Sequence, residues 1–321
     1  MNNSINFLIK AFSKKYLFLI GIAFFLIVLP FFVSPYLQHL TIMIFLYAYL
    51  GQAWNILGGA GGQFSFGHAA FFGLGAYVST ILFTKLGLTP WLGMFIGGFV
   101  SLGFGLFCGY LSFRYGLRGP YFALVMLGFS EVLRIIALNW KFVEGAMGIL
   151  IPVKGHSFYY FQFNRREEYY YIIFAMMAIS LYITYRIEKS KMGDYLVSIR
   201  EDEAASEAIG INVFRYKLIA MGISAFLTSL GGTFFAQYVS YVEPNLDFGA
   251  HVSIEILIRP ILGGPGTIWG PMIGAFILGP LAEVGRVLLG GYSGIHLALY
   301  GLIIMIVITY FPNGVIGLFR K

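Results

Sequence analysis

Apolar runs as long as a bilayer is thick follow one another along almost the whole chain. Short polar or glycine-rich breaks part them. A helix crossing the hydrocarbon core needs roughly 20 predominantly apolar residues. That measure predicts helical spans at Tyr16–Val33, Leu37–Leu57, Ser65–Thr84, Pro90–Phe113, Pro120–Leu138, Tyr169–Ile187, Tyr216–Tyr241, Gly270–Leu289 and Gly294–Phe311. A further stretch, Val252–Leu262, is apolar but short and ends in a glycine-rich tail. The predicted fold class is therefore an all-α integral membrane protein: one polytopic bundle, 1–321, of about 8–10 spans with short or broken helices. Two longer polar stretches interrupt it, 139–168 and 186–217.

Composition agrees with the pattern. The 321 residues are 59% hydrophobic and 11% charged, with a mean hydropathy of +0.80. Soluble domains carry about 25% charged residues, so this chain has too few to cover a water-facing surface. The 41 glycines, 33 phenylalanines and 22 tyrosines suit close helix packing and interfacial aromatic belts. Cys108, the single cysteine, lies in an apolar run and reads as a small buried hydrophobe. Lys10, Lys14 and Lys15 before Tyr16–Val33 resemble the start of a signal peptide. The length of the run and the lack of a small-residue cleavage site favour an uncleaved first span.

The net charge of +7 reads as basic residues kept on the cytoplasmic side, not as a nucleic-acid surface. With the N-terminus inside, Lys10, Lys14, Lys15, Arg114, Arg118, Arg186, Lys189, Lys191, Arg200, Arg215, Lys217, Arg320 and Lys321 fall inside. Only Lys85, Lys141, Lys154, Arg165 and Arg166 fall outside. That bias supports the orientation and places 139–168 outside. A basic C-terminus on the inside then requires Val252–Leu262 to cross as a short or broken helix; a re-entrant loop with the C-terminus outside is the alternative. The 139–168 loop is rich in aromatics (Phe158, Tyr159, Tyr160, Phe161, Phe163) and reads either as a docking surface or as rings resting on the membrane.

One motif recurs. Leu57-Gly58-Gly59-Ala60-Gly61 returns as Leu262-Gly263-Gly264-Pro265-Gly266, each followed by a small-residue helix start, Gly67-His68-Ala69-Ala70 and Gly270-Pro271-Met272-Ile273-Gly274-Ala275. Paired interruptions in two halves of a membrane protein point to a pathway between broken helices; chance in a glycine-rich chain is the other reading.

The inside stretch, RIEKSKMGDYLVSIREDEAASEAIGINVFRYK, holds six of the fourteen acidic residues. Asp202 is placed to cap a short helix from Glu203 to Gly210. Ala204 and Ala208, and Ala205 and Ile209, form a narrow small-apolar stripe framed by Glu203 and Glu207. Such a helix is either a knob for a groove on a cytosolic partner or a helix lying on the membrane, and the acidic flanks oppose the second.

No GxxxxGK[ST] phosphate loop, HExxH or cysteine–histidine cluster is present, and His39, His68, His156, His251 and His296 are scattered. Charges within spans are costly and are functional candidates. Glu131 with Arg134, and Glu255 with Arg259, are spaced to neutralise each other or to meet a zwitterion; Glu283 and Arg286 repeat the pattern. Gln63, Ser65 and His68 lie at the mouth of a helix whose free amides suit a carboxylate, or else pack between helices.

Glu203-Ala204-Ala205 with Gly210 downstream resembles the coupling loop of binding-protein-dependent ABC importer permeases. GGAGGQFSFGHAAFFGLGAY (58–77), GPYFALVMLGFSEVLR (119–134), the stretch from Arg200 through LIAMGISAFLTSLGG (218–232), and LGGPGTIWGPMIGA (262–275) are similar to the branched-chain amino acid permease family, M-type subunit. The resemblance implies a bacterial inner-membrane subunit with no cofactor or metal of its own and no catalytic role. It implies a second homologous permease, two cytosolic ATPase subunits that bind the ATP, and a periplasmic solute-binding protein as partners. It also implies that 186–217 is a coupling loop in which Glu203, Ala204, Ala205, Ala208 and Gly210 meet the ATPase. Gln63, Ser65, His68, Glu131, Arg134, Glu255 and Arg259 are then expected along the translocation path. Glu144-Gly145-Ala146-Met147-Gly148 departs from the Thr-Gly-Gly type segment expected there, which leaves urea or short amides beside branched-chain amino acids as cargo. An ion-driven secondary transporter would need unpaired midplane carboxylates, and a membrane enzyme would need a catalytic constellation.

Overall fold

The computed structural model describes residues 25–289 and 314–318, with residues 21, 301, 302, 305 and 309 besides. Lys10, Lys14, Lys15, part of Tyr16–Val33, most of Gly294–Phe311, the Arg286 side chain and Arg320–Lys321 lie outside the described residues.

The principal helices are α1 (Pro35–Asn55), α2 (His68–Leu86), α3 (Pro90–Arg114), α4 (Gly119–Asn139) and α5 (Arg166–Glu188), followed by the short α6 (Lys191–Glu201) and α7 (Glu203–Ala208). Then come α8 (Val213–Val239), α9 (Pro244–Phe248), α10 (Ala250–Gly263), α11 (Gly270–Leu289) and the terminal turn α12 (Gly314–Gly317). Among the described residues, six helices are long and apolar enough to cross a membrane: α1 with its continuation to Ala60, α2, α3, α4, α5 and α8. Starts follow the rules of free backbone amides. Ser34 caps α1, its hydroxyl accepting from the Leu37 N–H at 3.4 Å with Pro35 in the first turn, and Asn212 caps α8 through the Arg215 N–H at 3.0 Å.

Helices α1, α2 and α8 form the centre and bury most of their residues, whereas α4 and α5 bury fewer than a third of theirs. The open faces carry Phe95, Phe99, Tyr121, Leu124, Ile135 and Ile179, as lipid-facing surfaces do. At the centre, backbone touches backbone. A Cβ on Gly75 would sit 2.0 Å from the Ser229 carbonyl oxygen, and one on Gly232 2.0 Å from that of Phe72. Thr233 donates to the Gly75 carbonyl at 2.9 Å. Small residues permit this approach, and in lipid it supplies much of the packing energy.

Two departures from continuous helix set up the site. First, α1 ends in a single π turn, Ile56–Ala60, and the chain from Gly61 to Gly67 has no regular structure. Helix α2 therefore begins at His68, not at Ser65. His68 meets Ser224 at 2.8 Å, which lies about 17 Å along α8 from Val213 at 1.5 Å per residue. Second, α10 begins beside that point, the Ser253 hydroxyl accepting from the Ala69 N–H at 2.9 Å. It runs to the level of Asn55, so it traverses only part of the bundle depth, and β2 (Tyr241–Val242) and α9 lead into it from the far end.

At that far end, β2 pairs antiparallel with β1 (Ile149–Leu150). The 139–168 loop folds down onto helix ends there. Trp91 donates to the Phe158 carbonyl at 2.7 Å and stacks on Phe161 at 4.2 Å. Phe161 is buried, while Phe158 and Tyr159 stay exposed.

Candidate functional site

The two glycine turns that recur in the sequence are in contact. Gly59 faces Gly266 so closely that a Cβ on Gly59 would lie 2.4 Å from the Gly266 nitrogen. Asn55 fastens the pair: its Oδ1 accepts from the Gly266 N–H at 2.8 Å and its Nδ2 donates to the Thr267 carbonyl at 2.9 Å. Gln52 adds a bond to the Ile268 carbonyl at 2.5 Å. Gly314 of α12 abuts Gly264, and Val315 packs against Ile258 and Leu262. The 314–317 segment thus lies at the end of the bundle that holds both turns and α7.

A cavity of about 900 Å³ opens between these turns and α6. Trp54, Gly58, Gly59 and Phe64 line one wall, Pro265–Thr267 with Ile261 a second, and Val197, Arg200, Glu201 and Glu188 a third. None of the residues expected along a path lines it. Gln63, Ser65 and His68 are buried. Gln63 donates to Glu203 at 3.2 Å; Ser65 accepts from the Trp54 indole through its carbonyl at 2.9 Å and from the Gly67 N–H through its hydroxyl at 3.2 Å. His68 lies 2.8 Å from the Ser224 hydroxyl.

The span charges are paired as their spacing requires. Arg134 binds Glu131 through Nε at 2.9 Å and through Nη2, and reaches Asn245 at 2.5 Å. Arg259 is buried, binds Glu255 at 2.7 Å and lies over the Tyr47 ring at 3.6 Å. Glu283 accepts a bond from the Tyr36 hydroxyl.

Helix α7 forms where expected. The Asp202 carboxylate accepts from the Ala205 N–H at 3.0 Å, and Gly210 at φ +87° turns the chain away. Ala204, Ala205, Ala208 and Ile209 are exposed, and Ile209 is 74% accessible. Ser206 faces inward and shares a hydroxyl–hydroxyl bond of 2.7 Å with Ser198 of α6. Glu203 differs from the expectation that it frames the exposed stripe. Its side chain is 12% exposed and turns inward, binding Arg118 at 2.8 Å, Lys217, and Gln63 at 3.2 Å. Lys217 is itself only 4% exposed and lies 5.3 Å from the Phe113 ring centre. A carboxylate this enclosed turns toward its cations because desolvation without them is costly.

The profile of a family described as a branched-chain amino acid transport system permease component matches residues 36–308. This chain belongs to that permease family. It is 26% identical over 330 aligned residues to the high-affinity branched-chain amino acid transport system permease protein LivM of Salmonella typhimurium, covering 96% of this chain and 76% of the relative. It is 24% identical to LivH of Escherichia coli, across 84% of this chain and 91% of that one. A ribose import permease protein, RbsC of Escherichia coli, is 29% identical over 42% of this chain and 43% of its own. No solved structure matches.

As a member of this family the chain is a multi-pass membrane transport permease. Among the described residues no group of three or more His, Cys, Asp or Glu is placed to hold a metal ion. Sequence reasoning missed Arg118, Arg200 and Lys217 as site residues, treating them as loop charges that set orientation. The available signal was that Lys217 falls within the first turns of an apolar helix and needs an acidic partner.

Proposed function

We propose that this chain is one permease subunit of an ATP-driven importer for branched-chain or other neutral amino acids. In this reading it sits in a bacterial inner membrane beside a second homologous permease, with two cytosolic ATPase subunits below and a periplasmic binding protein above. Both termini and α7 lie in the cytoplasm; the basic charges at the α7 end support that orientation. Its mechanism is alternating access. The chain makes and breaks no bonds. ATP-dependent closure of the partners shifts α7, and the helices around the glycine turns rock between outward and inward arrangements whose energy difference comes from nucleotide binding elsewhere.

One observation carries the reading. The small-apolar face of α7, Ala204, Ala205, Ala208 and Ile209, stands open at the end of the bundle while Glu203 anchors the helix behind it. An exposed small-residue stripe on an otherwise anchored helix fits a groove on another protein. LivM and LivH, both similar to this chain along most of its length, support the amino-acid cargo and the paired permeases.

The test is uptake of radiolabelled leucine and of urea by the reconstituted complex with ATP. Leucine uptake without urea uptake supports the cargo assigned, and the reverse assigns the short-amide class. Ala205→Arg is expected to insert normally and lose ATP-dependent uptake. Normal leucine uptake in that variant removes α7 from the coupling role. Uptake without any ATPase subunit makes the protein a secondary transporter.

A further inference from the structure

We infer that Arg200 is a positioning residue that clamps the α1–α2 turn to α6 and α7, so that the coupling helix and both glycine turns move as one body. This rests on the coupling role proposed for α7. The turn from Gly59 to Gln63 is held at both ends by neighbouring residues of one short segment. At one end the Arg200 Nη1 donates to the Gly59 carbonyl at 3.1 Å. At the other, Gln63 donates to Glu203 at 3.2 Å. Between them the turn lies flat on α6. Gly62, at φ +66°, is so close that a Cβ would stand 2.7 Å from Arg200 Cγ and 3.1 Å from its Cα; one on Gly61 would stand 3.5 Å from Leu196 Cδ2.

The clamp reaches the second turn as well. A Cβ on Gly266 would lie 2.5 Å from Arg200 Nη1, so the guanidinium occupies the junction where Gly59 and Gly266 meet. Its other nitrogens, Nε and Nη2, bind Glu201 at 3.1 and 2.7 Å. A planar fork can hold a carboxylate on one edge and a carbonyl on the other, a division an ammonium group cannot match. The cavity of about 900 Å³ has Arg200 on one wall and both turns on the others, so the clamp holds those walls in fixed relation while α6–α7 is displaced.

The physical route is short and contiguous: exposed α7 face, Glu203 and Arg200, the 59–63 turn, Asn55, and the 264–268 turn. Each link is a hydrogen bond or a backbone contact with no side chain to spare between, and packed backbone transmits displacement instead of absorbing it.

The experiment uses the full importer, with ATPase subunits and binding protein, in proteoliposomes. Arg200→Ala is expected to leave the complex assembled and hydrolysing ATP while lowering leucine moved per ATP by about tenfold, the range of an ordinary coupling energy. An unchanged ratio overturns the inference. A second variant, Arg200→Lys, tests the same point while keeping the charge. It is expected to lower the ratio as Arg200→Ala does, because an ammonium cannot hold the Glu201 carboxylate and the Gly59 carbonyl at once. A wild-type ratio in Arg200→Lys overturns it. A wrong assignment of α7 itself shows differently: Ala205→Arg then transports normally, whatever Arg200→Ala does.

Discussion

Asn55 and Gly266, 211 residues apart in the chain, are joined by a hydrogen bond of 2.8 Å from the Gly266 N–H to the Asn55 side-chain oxygen. The same amide returns a bond to the Thr267 carbonyl at 2.9 Å. One buried side chain thereby satisfies a donor and an acceptor of an irregular turn that has no helix to pair them. Asn55→Ala orphans both, each at about 1–3 kcal/mol, and is expected to lower the melting temperature in detergent. Asn55→Asp keeps the acceptor but sets a second oxygen against the Thr267 carbonyl in a buried site, and is also expected to melt below the wild type. Equal melting of all three proteins would show that the turn is held by other contacts.

The contact between the glycine turns admits no side chain at Gly59. Gly59→Ala would press a methyl to within 1.9 Å of Asn55 Oδ1 and 2.4 Å of the Gly266 nitrogen, and is expected to destabilise by more than about 1–3 kcal/mol of ordinary overpacking. Gly103→Ala in α3 is the control, since a Cβ there meets nothing within 4 Å. It should leave the melting temperature unchanged or raise it, as alanine replacing glycine within a helix does by roughly 0.5–1 kcal/mol.

Arg259 and Arg134 each pair with a glutamate on their own helix, yet their environments differ. The Arg259 side chain is 4% exposed and lies over the Tyr47 ring, whereas that of Arg134 is 25% exposed. Replacing Arg259 with Ala removes a desolvated charge and leaves Glu255 without its partner, a loss of up to roughly 3–5 kcal/mol. Arg134→Ala is expected to cost less than about 1 kcal/mol. Chemical unfolding in mixed micelles ranks the two, and a reversed order would contradict the burial argument.

Asp247 in the α8–α10 connector predicts a pH dependence. Burial pushes its carboxyl up to about 7, and the neighbouring Glu243 carboxylate adds to the rise, against the pull of the Glu243 N–H that Oδ2 accepts at 2.8 Å. Tyr77 also lies within electrostatic reach of Asp247. The unfolded chain releases this proton near its ordinary value of about 4. Between about 4 and 7 the folded form therefore binds more protons, and stability falls as pH rises across that window and is flat above it. Melting curves at pH 5 and 8 should show a larger difference for the wild type than for Asp247→Asn, which removes this contribution; equal differences would exclude Asp247 as its source.

The sequence by itself determined the solvent of the protein, its long helices and the position of the short helix α7. Length and apolarity mark α1, α3, α4, α5, α8 and α11 to within a few residues because a bilayer demands full internal hydrogen bonding. Asp202 and Gly210 bracket α7 for equally local reasons. What the tertiary structure alone decided was where the interruptions go. The glycine turns read as a repeat in the sequence, but only folding shows that they touch, that Gln63 bonds to Glu203, and that Arg200 reaches both turns. Helix periodicity carries local information, since each backbone group pairs within four residues. An irregular turn finds its partners wherever the fold delivers a side chain, here from Asn55 and Gln52 more than two hundred residues away in the chain.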